Sequence, residues 1–136
     1  MELSIRPLND RDYEDLLVGW WRDWKWPAPD KDFLPSDGTG GIMVMHGDIP
    51  ICAGFMYATN SKVAWVEWVI SNRNYRDKEN RAKAILLLVS TITDICKNSG
   101  FKYCYATLKS QSLIHIYEDL GYVSGGSDGV EMIKKI

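Results

Sequence analysis

Glu67 is the one charged residue in the run Val63 to Ile70, which reads Val-Ala-Trp-Val-Glu-Trp-Val-Ile. A carboxylate inside an apolar strand loses its hydration. It must therefore face a wet cleft, stay protonated, or be satisfied by neighbouring backbone or an arginine. In the first case it can accept a proton from a bound molecule. A second feature is the segment from Arg73 to Lys83, with five basic and two acidic residues in a chain whose net charge is -2. It precedes a long amphipathic pattern, so it brings positive charge to a helix N-terminus, where backbone N–H groups favour an anion; a solvated helix start has the same composition. A third is the cluster Trp20, Trp21, Trp24 and Trp26. Trp20 and Trp24 stand four apart and belong to a core face, which leaves Trp21 and Trp26 for an aromatic wall facing an acceptor molecule or a partner protein.

These groups need a scaffold, and the hydrophobic pattern supplies one. Leu3, Ile5 and Pro7 alternate with polar residues as a first strand. Asn9 or Asp10 caps a helix over Arg11 to Trp24, which Pro27 and Pro29 prevent from continuing. Ile42 to His46 and Ile51 to Thr59 read as an antiparallel pair around Gly47-Asp48-Ile49-Pro50. The nearly continuous apolar run Val63 to Ile70 reads as the central strand, with Glu67 sharing a face with Trp65 and Val69. Ala82, Ile85, Leu86, Val89, Thr93 and Cys96 mark a long helix that Gly100 stops. Phe101 to Leu108 is a strand, Ser110 caps a helix carrying Leu113, Ile116, Tyr117 and Leu120, and Tyr122-Val123 with Val130 to Ile136 close the chain as a hairpin. The expected architecture is a single α+β domain over residues 1–136, a mixed sheet flanked by helices in the order β-α-β-β-β-α-β-α-β-β. Its strand-helix-strand crossover makes Val63 to Ile70 parallel to the strand after the long helix.

Composition narrows the function. The balance of 16 basic and 18 acidic residues gives no basic field for nucleic acid. The N-terminal residues lack a secretory leader and no stretch has membrane-spanning length, so a cytoplasmic protein is expected. Cys52, Cys96 and Cys104 have no metal-ligand or disulfide-framework spacing, and His46 and His115 read as surface residues without metal partners. No Walker, Rossmann or H-E-x-x-H signature is present.

The element order and two segments resemble the GNAT N-acetyltransferases. Ser110-Gln-Ser-Leu-Ile-His-Ile-Tyr117-Glu-Asp-Leu-Gly121-Tyr122 is similar to the family's N-x-x-A-x-x-x-Y-E-K-L-G-F. Asn72-Arg-Asn-Tyr75-Arg76-Asp77-Lys78-Glu79-Asn80-Arg81-Ala82 stands where the family has its pyrophosphate loop, with Tyr75-Arg76 matching and the glycines missing. Asn80 and Ala82, or Glu79 and Arg81, fall on the glycine positions, depending on the side from which one counts. The tryptophan-rich first helix followed by Leu34-Pro35-Ser36-Asp37-Gly38 also looks like small phage-encoded acetyltransferase-like proteins.

The resemblance implies an acetyl-CoA-dependent transferase acting on a primary amine, as a monomer or homodimer. It implies Glu67 as the base that deprotonates the amine and Tyr117 as the acid that protonates the leaving thiolate, against a satisfied carboxylate and a core tyrosine as the plainer readings. It also implies coenzyme contacts from the backbone of Val69, Ile70 and Ser71, from Arg76, Asp77, Lys78, Glu79, Asn80, Arg81 and Ala82, and from Ser110, for which helix capping is the simpler role. Trp21 and Trp26 would line the acceptor side. The main rival reading is a non-catalytic relative, a CoA-binding or protein-interaction module whose glycine-free loop holds CoA weakly or not at all and whose tryptophan surface serves protein interaction. A third is an unrelated small α+β structural protein that shares only the element order.

Overall fold

The computed structural model describes residues 2–136. Five strands, β1 (Leu3–Pro7), β2 (Gly41–His46), β3 (Ile49–Ala58), β4 (Val63–Ser71) and β5 (Tyr103–Tyr105), form one sheet in sequence order. All pairs are antiparallel except β4 with β5, which the crossover through α2 (Lys78–Asn98) makes parallel, as the pattern predicts. The centre of the sheet is β3 rather than Val63 to Ile70. Its burial follows from its place, because Ile51 to Phe55 have a layer on both faces.

The two layers differ in kind. On one face, Ala84, Leu88, Val89, Ile92 and Cys96 of α2 pack on Val44, Ile51, Ala64 and Val66, and α3 (Gln111–Asp119) adds Tyr117. Gly54 lets α2 approach closely, since a Cβ there would stand 3.2 to 3.3 Å from Val69, Ile92 and Leu88. On the other face, Leu17, Trp20 and Trp21 cover Met43, Ala53, Phe55 and Ile70. The first helix is not one continuous α-helix: a π-helical turn over Tyr13–Leu17 leads into α1 (Val18–Asp23). Asn9 caps it, its side-chain oxygen accepting from the N–H groups of Arg11 and Asp12 at 3.0 and 3.1 Å. Asp12, buried at 4% exposure, is held by Arg6 through two bonds of 2.8 and 2.9 Å.

β4 carries the decisive irregularity. Phe55 pairs with Glu67 and Ala53 with Ile70, so Trp68 and Val69 together oppose Gly54. Trp68 takes φ +57, the left-handed region that favours glycine, and its ring is fixed edge-on against Trp21 and Phe33 at 6.1 and 5.8 Å. The bulge shifts the alternation by one residue. Val69 therefore packs in the α2 layer, not on the face that Glu67 shares with Trp65, and Trp68 joins the α1 layer.

β5 is shorter than the Phe101 to Leu108 run, because beyond Tyr105 the chain turns away from β4. The closing hairpin over Tyr122-Val123 and Val130 to Ile136 is not formed. Residues 122–136 hold no strand, and Val123, Val130, Met132, Ile133 and Ile136 are exposed. Among the described residues no helix is long and apolar enough to cross a membrane.

Candidate functional site

The parallel ladder between β4 and β5 ends at the pair Trp65 and Tyr105. Past that point the strands part, and two side chains bridge the gap. The Tyr117 hydroxyl donates to the carbonyl of Val66 at 3.0 Å. Glu67, reaching from the other face, accepts from the Thr107 N–H and from Thr107 Oγ1, the latter at 3.0 Å. Sequence reasoning did not find Thr107, since a threonine just past a strand carries no motif.

Burial raises the Glu67 carboxyl above its ordinary value, the two Thr107 donors act the other way, and Glu131 adds a smaller upward push. Burial likewise drives the Tyr117 phenol far above a free tyrosine, so its hydroxyl stays protonated at neutral pH. Tyr117 is 1% exposed and packs edge-on against Tyr122 at 4.8 Å, so a core role and a donor role coexist in one side chain. The Tyr122 hydroxyl in turn meets Thr93 Oγ1 at 2.7 Å.

A cleft of about 190 Å³ opens where β4 ends, between the first turns of α2 and α3. Val69, Ile70 and Ser71 form its floor, Arg81 and Ile85 one wall, Ser110 and Leu113 another, and Trp24 and Trp26 its rim. Ser110 Oγ faces the Leu113 N–H at 3.5 Å as the N-cap and meets Ser112 Oγ at 2.9 Å. Trp24 Nε1 donates to the Ser71 carbonyl at 2.8 Å, and its ring lies under the guanidinium groups of Arg73 and Arg81 at 5.2 and 5.6 Å and beside Trp26 at 6.1 Å. Trp21, expected on an open aromatic wall, is 1% exposed in the core, because it follows the buried Leu17 by one helical turn and packs against Tyr13 and Trp68. Trp26, 48% exposed, remains at the rim, joined by Trp24.

The loop before α2 is built without glycine. Asp77 caps the helix, accepting from the Asn80 N–H at 3.1 Å and from Asn80 Nδ2 at 2.6 Å. Arg81 Nη1 donates to the Tyr75 carbonyl at 2.9 Å. Arg76, Lys78, Glu79 and Ala82 are exposed, and Glu79 faces Lys83 at 3.6 Å. The cationic residues suit a diphosphate, whereas the Asp77 carboxylate occupies a first-turn N–H that such a group would use. His46 is a partly buried neighbour of this loop rather than a free surface residue, its Nδ1 meeting the Tyr75 hydroxyl at 3.2 Å. His115 is exposed and lies 3.5 Å from Glu118.

No family model matches the chain, and no curated protein sequence matches it. Solved structures do. Glucosamine-6-phosphate N-acetyltransferase from Arabidopsis thaliana is similar at a TM-score of 0.67 and 13% identity, over 98% of this chain and 100% of that one. A GNAT family acetyltransferase from Staphylococcus aureus aligns at 0.61 and 16% identity over 98% and 100%. The enzyme AAC(6')-Iy, solved with a CoA-linked bisubstrate analogue, aligns at 0.65 and 16% identity over 100% and 99%. At these identities the likeness defines the fold: a mixed α/β sheet of the GNAT acetyltransferase type.

Proposed function

We propose that the protein is an N-acetyltransferase that moves an acetyl group from acetyl-CoA to a primary amine. The observation that carries the reading is the parting of β4 and β5 after Trp65 and Tyr105, with a protonated phenol inside the gap and a half-buried carboxylate across it. The GNAT-type fold and the CoA-linked analogue held by one structural neighbour support the choice of donor.

In this reading the thioester arm enters the cleft over Val69, Ile70 and Ser71, and the diphosphate lies near Arg76 and Arg81. Glu67 takes the proton from the acceptor ammonium, directly or through water. The freed nitrogen attacks the carbonyl carbon, a backbone N–H at Val69 or Ile70 stabilises the developing oxyanion, and the carbon–sulfur bond breaks. As it breaks, the nitrogen gives up its second proton, which passes through water to restore the Tyr117 phenol, while Glu67 releases the first to solvent. Tyr117 delivers its proton to the departing thiolate and gives up its bond to Val66. The base and the acid thus stand on opposite sides of the same gap.

A second reading, a non-catalytic GNAT-fold module, is favoured by two contacts. Asp77 already caps α2, and Trp24 already bonds Ser71 at the cleft floor. Thermal melting with acetyl-CoA tests the coenzyme site, and release of the CoA thiol in the presence of amines then separates the enzyme from a module that binds CoA without turnover. A ligand at about 100 times its dissociation constant stabilises the fold by about 2.7 kcal/mol, a rise of several degrees in a domain of this size. No rise at millimolar acetyl-CoA would leave the module reading standing.

A further inference from the structure

The layer of α1 covers only part of its sheet face. Beyond Phe55 and Ile70 that face continues with Tyr57 on β3, Trp65 on β4 and Tyr105 on β5, which are register partners of one another in that order. Directly opposed residues share a face, so the three rings form a row across three neighbouring strands, about 10 Å long at the usual strand spacing. Trp65 and Tyr105 are in contact, with centroids 4.3 Å apart, and the Tyr57 hydroxyl is anchored by donating to the Phe33 carbonyl at 2.8 Å. The row is accessible: Tyr105 is 53% exposed, and Trp65 and Tyr57 are partly so. Glu67 follows Trp65 by two residues on the same face. Among the described residues no basic side chain stands within ion-pair distance of it, and Glu131 of the C-terminal segment adds a second negative charge nearby.

We propose that the row Tyr57, Trp65 and Tyr105 is the acceptor shelf, and that it selects an organic cation whose nitrogen is presented to Glu67. This rests on the reading of Glu67 as the base. Ring faces attract ammonium groups and their alkyl substituents through the ring quadrupole, and the carboxylate at the end of the row gives them a direction. An anionic acceptor would meet two carboxylates. A neutral apolar one would bury the Glu67 charge without compensation. The strands, not Trp21, thus supply the aromatic wall.

Two probes of one shape test it, choline and its neutral counterpart 3,3-dimethylbutan-1-ol, titrated while the Trp65 indole N–H resonance is followed by NMR. Neither offers a nitrogen that can be acylated, so the shelf can fail while acetyl-CoA binding holds, and the reverse. Choline should bind at least about fivefold more tightly than the alcohol. With choline shifts followed on the backbone amides of β4 and β5, Trp65→Leu and Glu67→Gln should each weaken binding by about fivefold, and Trp65→Phe should stay within about twofold. Should Trp65→Leu fail to fold, Tyr105→Leu, at an exposed position, takes its place. Equal affinities for the two probes, or undiminished choline binding by a folded ring-deleted variant, would overturn the proposal.

Discussion

The hydroxyl of Tyr117 donates to the carbonyl of Val66 at 3.0 Å, joining α3 to β4 across 51 positions of sequence. The bond falls one residue past the last paired position of the β4 and β5 ladder, so it satisfies a buried acceptor that β5 no longer reaches. One atom therefore closes the sheet and holds the proton that the proposed reaction requires.

Removing that atom should separate the two duties. Tyr117→Phe leaves the ring against Tyr122 and costs about 1 to 3 kcal/mol for the orphaned carbonyl, read as a lower melting temperature. If the phenol is the acid, turnover falls by about 100 to 10,000-fold at saturating acetyl-CoA. A rate within about twofold of wild type, with chemistry limiting, would leave Tyr117 only its structural duty.

Glu67 predicts a pH dependence with a definite sign. Burial raises its carboxyl in the fold, so the folded chain keeps this proton to higher pH than the unfolded chain does. The stability this contributes is complete below the unfolded value of about 4.3 and is lost as pH rises through the folded one. Glu67→Gln should flatten that part of the stability curve, measured by denaturant melts between acid and neutral pH. In kcat/KM the base limb should lie above the free-carboxyl range. Thr107→Val should move it further up by removing the hydroxyl donor, and Thr107→Ser should restore it.

Asp77 offers a charge test at the first turn of α2. Asp77→Ala should cost about 0.5 to 2 kcal/mol through loss of the cap to Asn80. Asp77→Asn keeps a capping oxygen and removes the negative charge, so calorimetry should show CoA bound several-fold more tightly with little change in melting. Reversal of Arg76 and Arg81 to Glu should weaken CoA markedly, and unchanged affinity in that double variant would remove the loop from the site.

Trp24 should report ligand entry by its own emission. Its indole bonds Ser71 and lies under Arg73 and Arg81, so a molecule settling on the cleft floor must alter its surroundings. CoA is expected to change tryptophan fluorescence, and Trp24→Phe to abolish most of that change. An undiminished signal in the variant would assign it to another indole.

Much of this was legible in the chain. The long helix stopped at Gly100 and the Ser110 cap are local patterns and formed where their residues predict. The buried stripe of α2, however, is Ala84, Leu88, Val89, Ile92 and Cys96, with Ala82 and Leu86 exposed. Ile49 and Pro50, expected in the connection with Gly47-Asp48, are the first residues of β3. Glu67 was legible because a lone charge in an apolar run needs an explanation. Thr107 was not, since its role arises from a contact 40 residues distant. Trp21 misled for another reason: it stands four residues after Leu17 and shares that residue's buried face, a spacing hidden when Trp20 and Trp24 alone are taken as the core pair. The closing hairpin failed because its alternation had no sheet edge holding it; β5 ends after three residues.

The two-for-one pairing of Trp68 and Val69 against Gly54 is a parity change written into β4. On the near side of it, even-numbered positions such as Ala64 and Val66 feed the helical layer; on the far side odd-numbered Val69 does so, and even-numbered Ile70 answers to the tryptophans. The cleft floor is thus fixed by counting rather than by residue type. Substitutions at Trp68 would leave the frame intact, and even deleting that position would only close the bulge, pairing Val69 with Gly54 and keeping Val69 toward α2 and Ile70 toward the tryptophans; one further deletion before Val69 would be needed to exchange them.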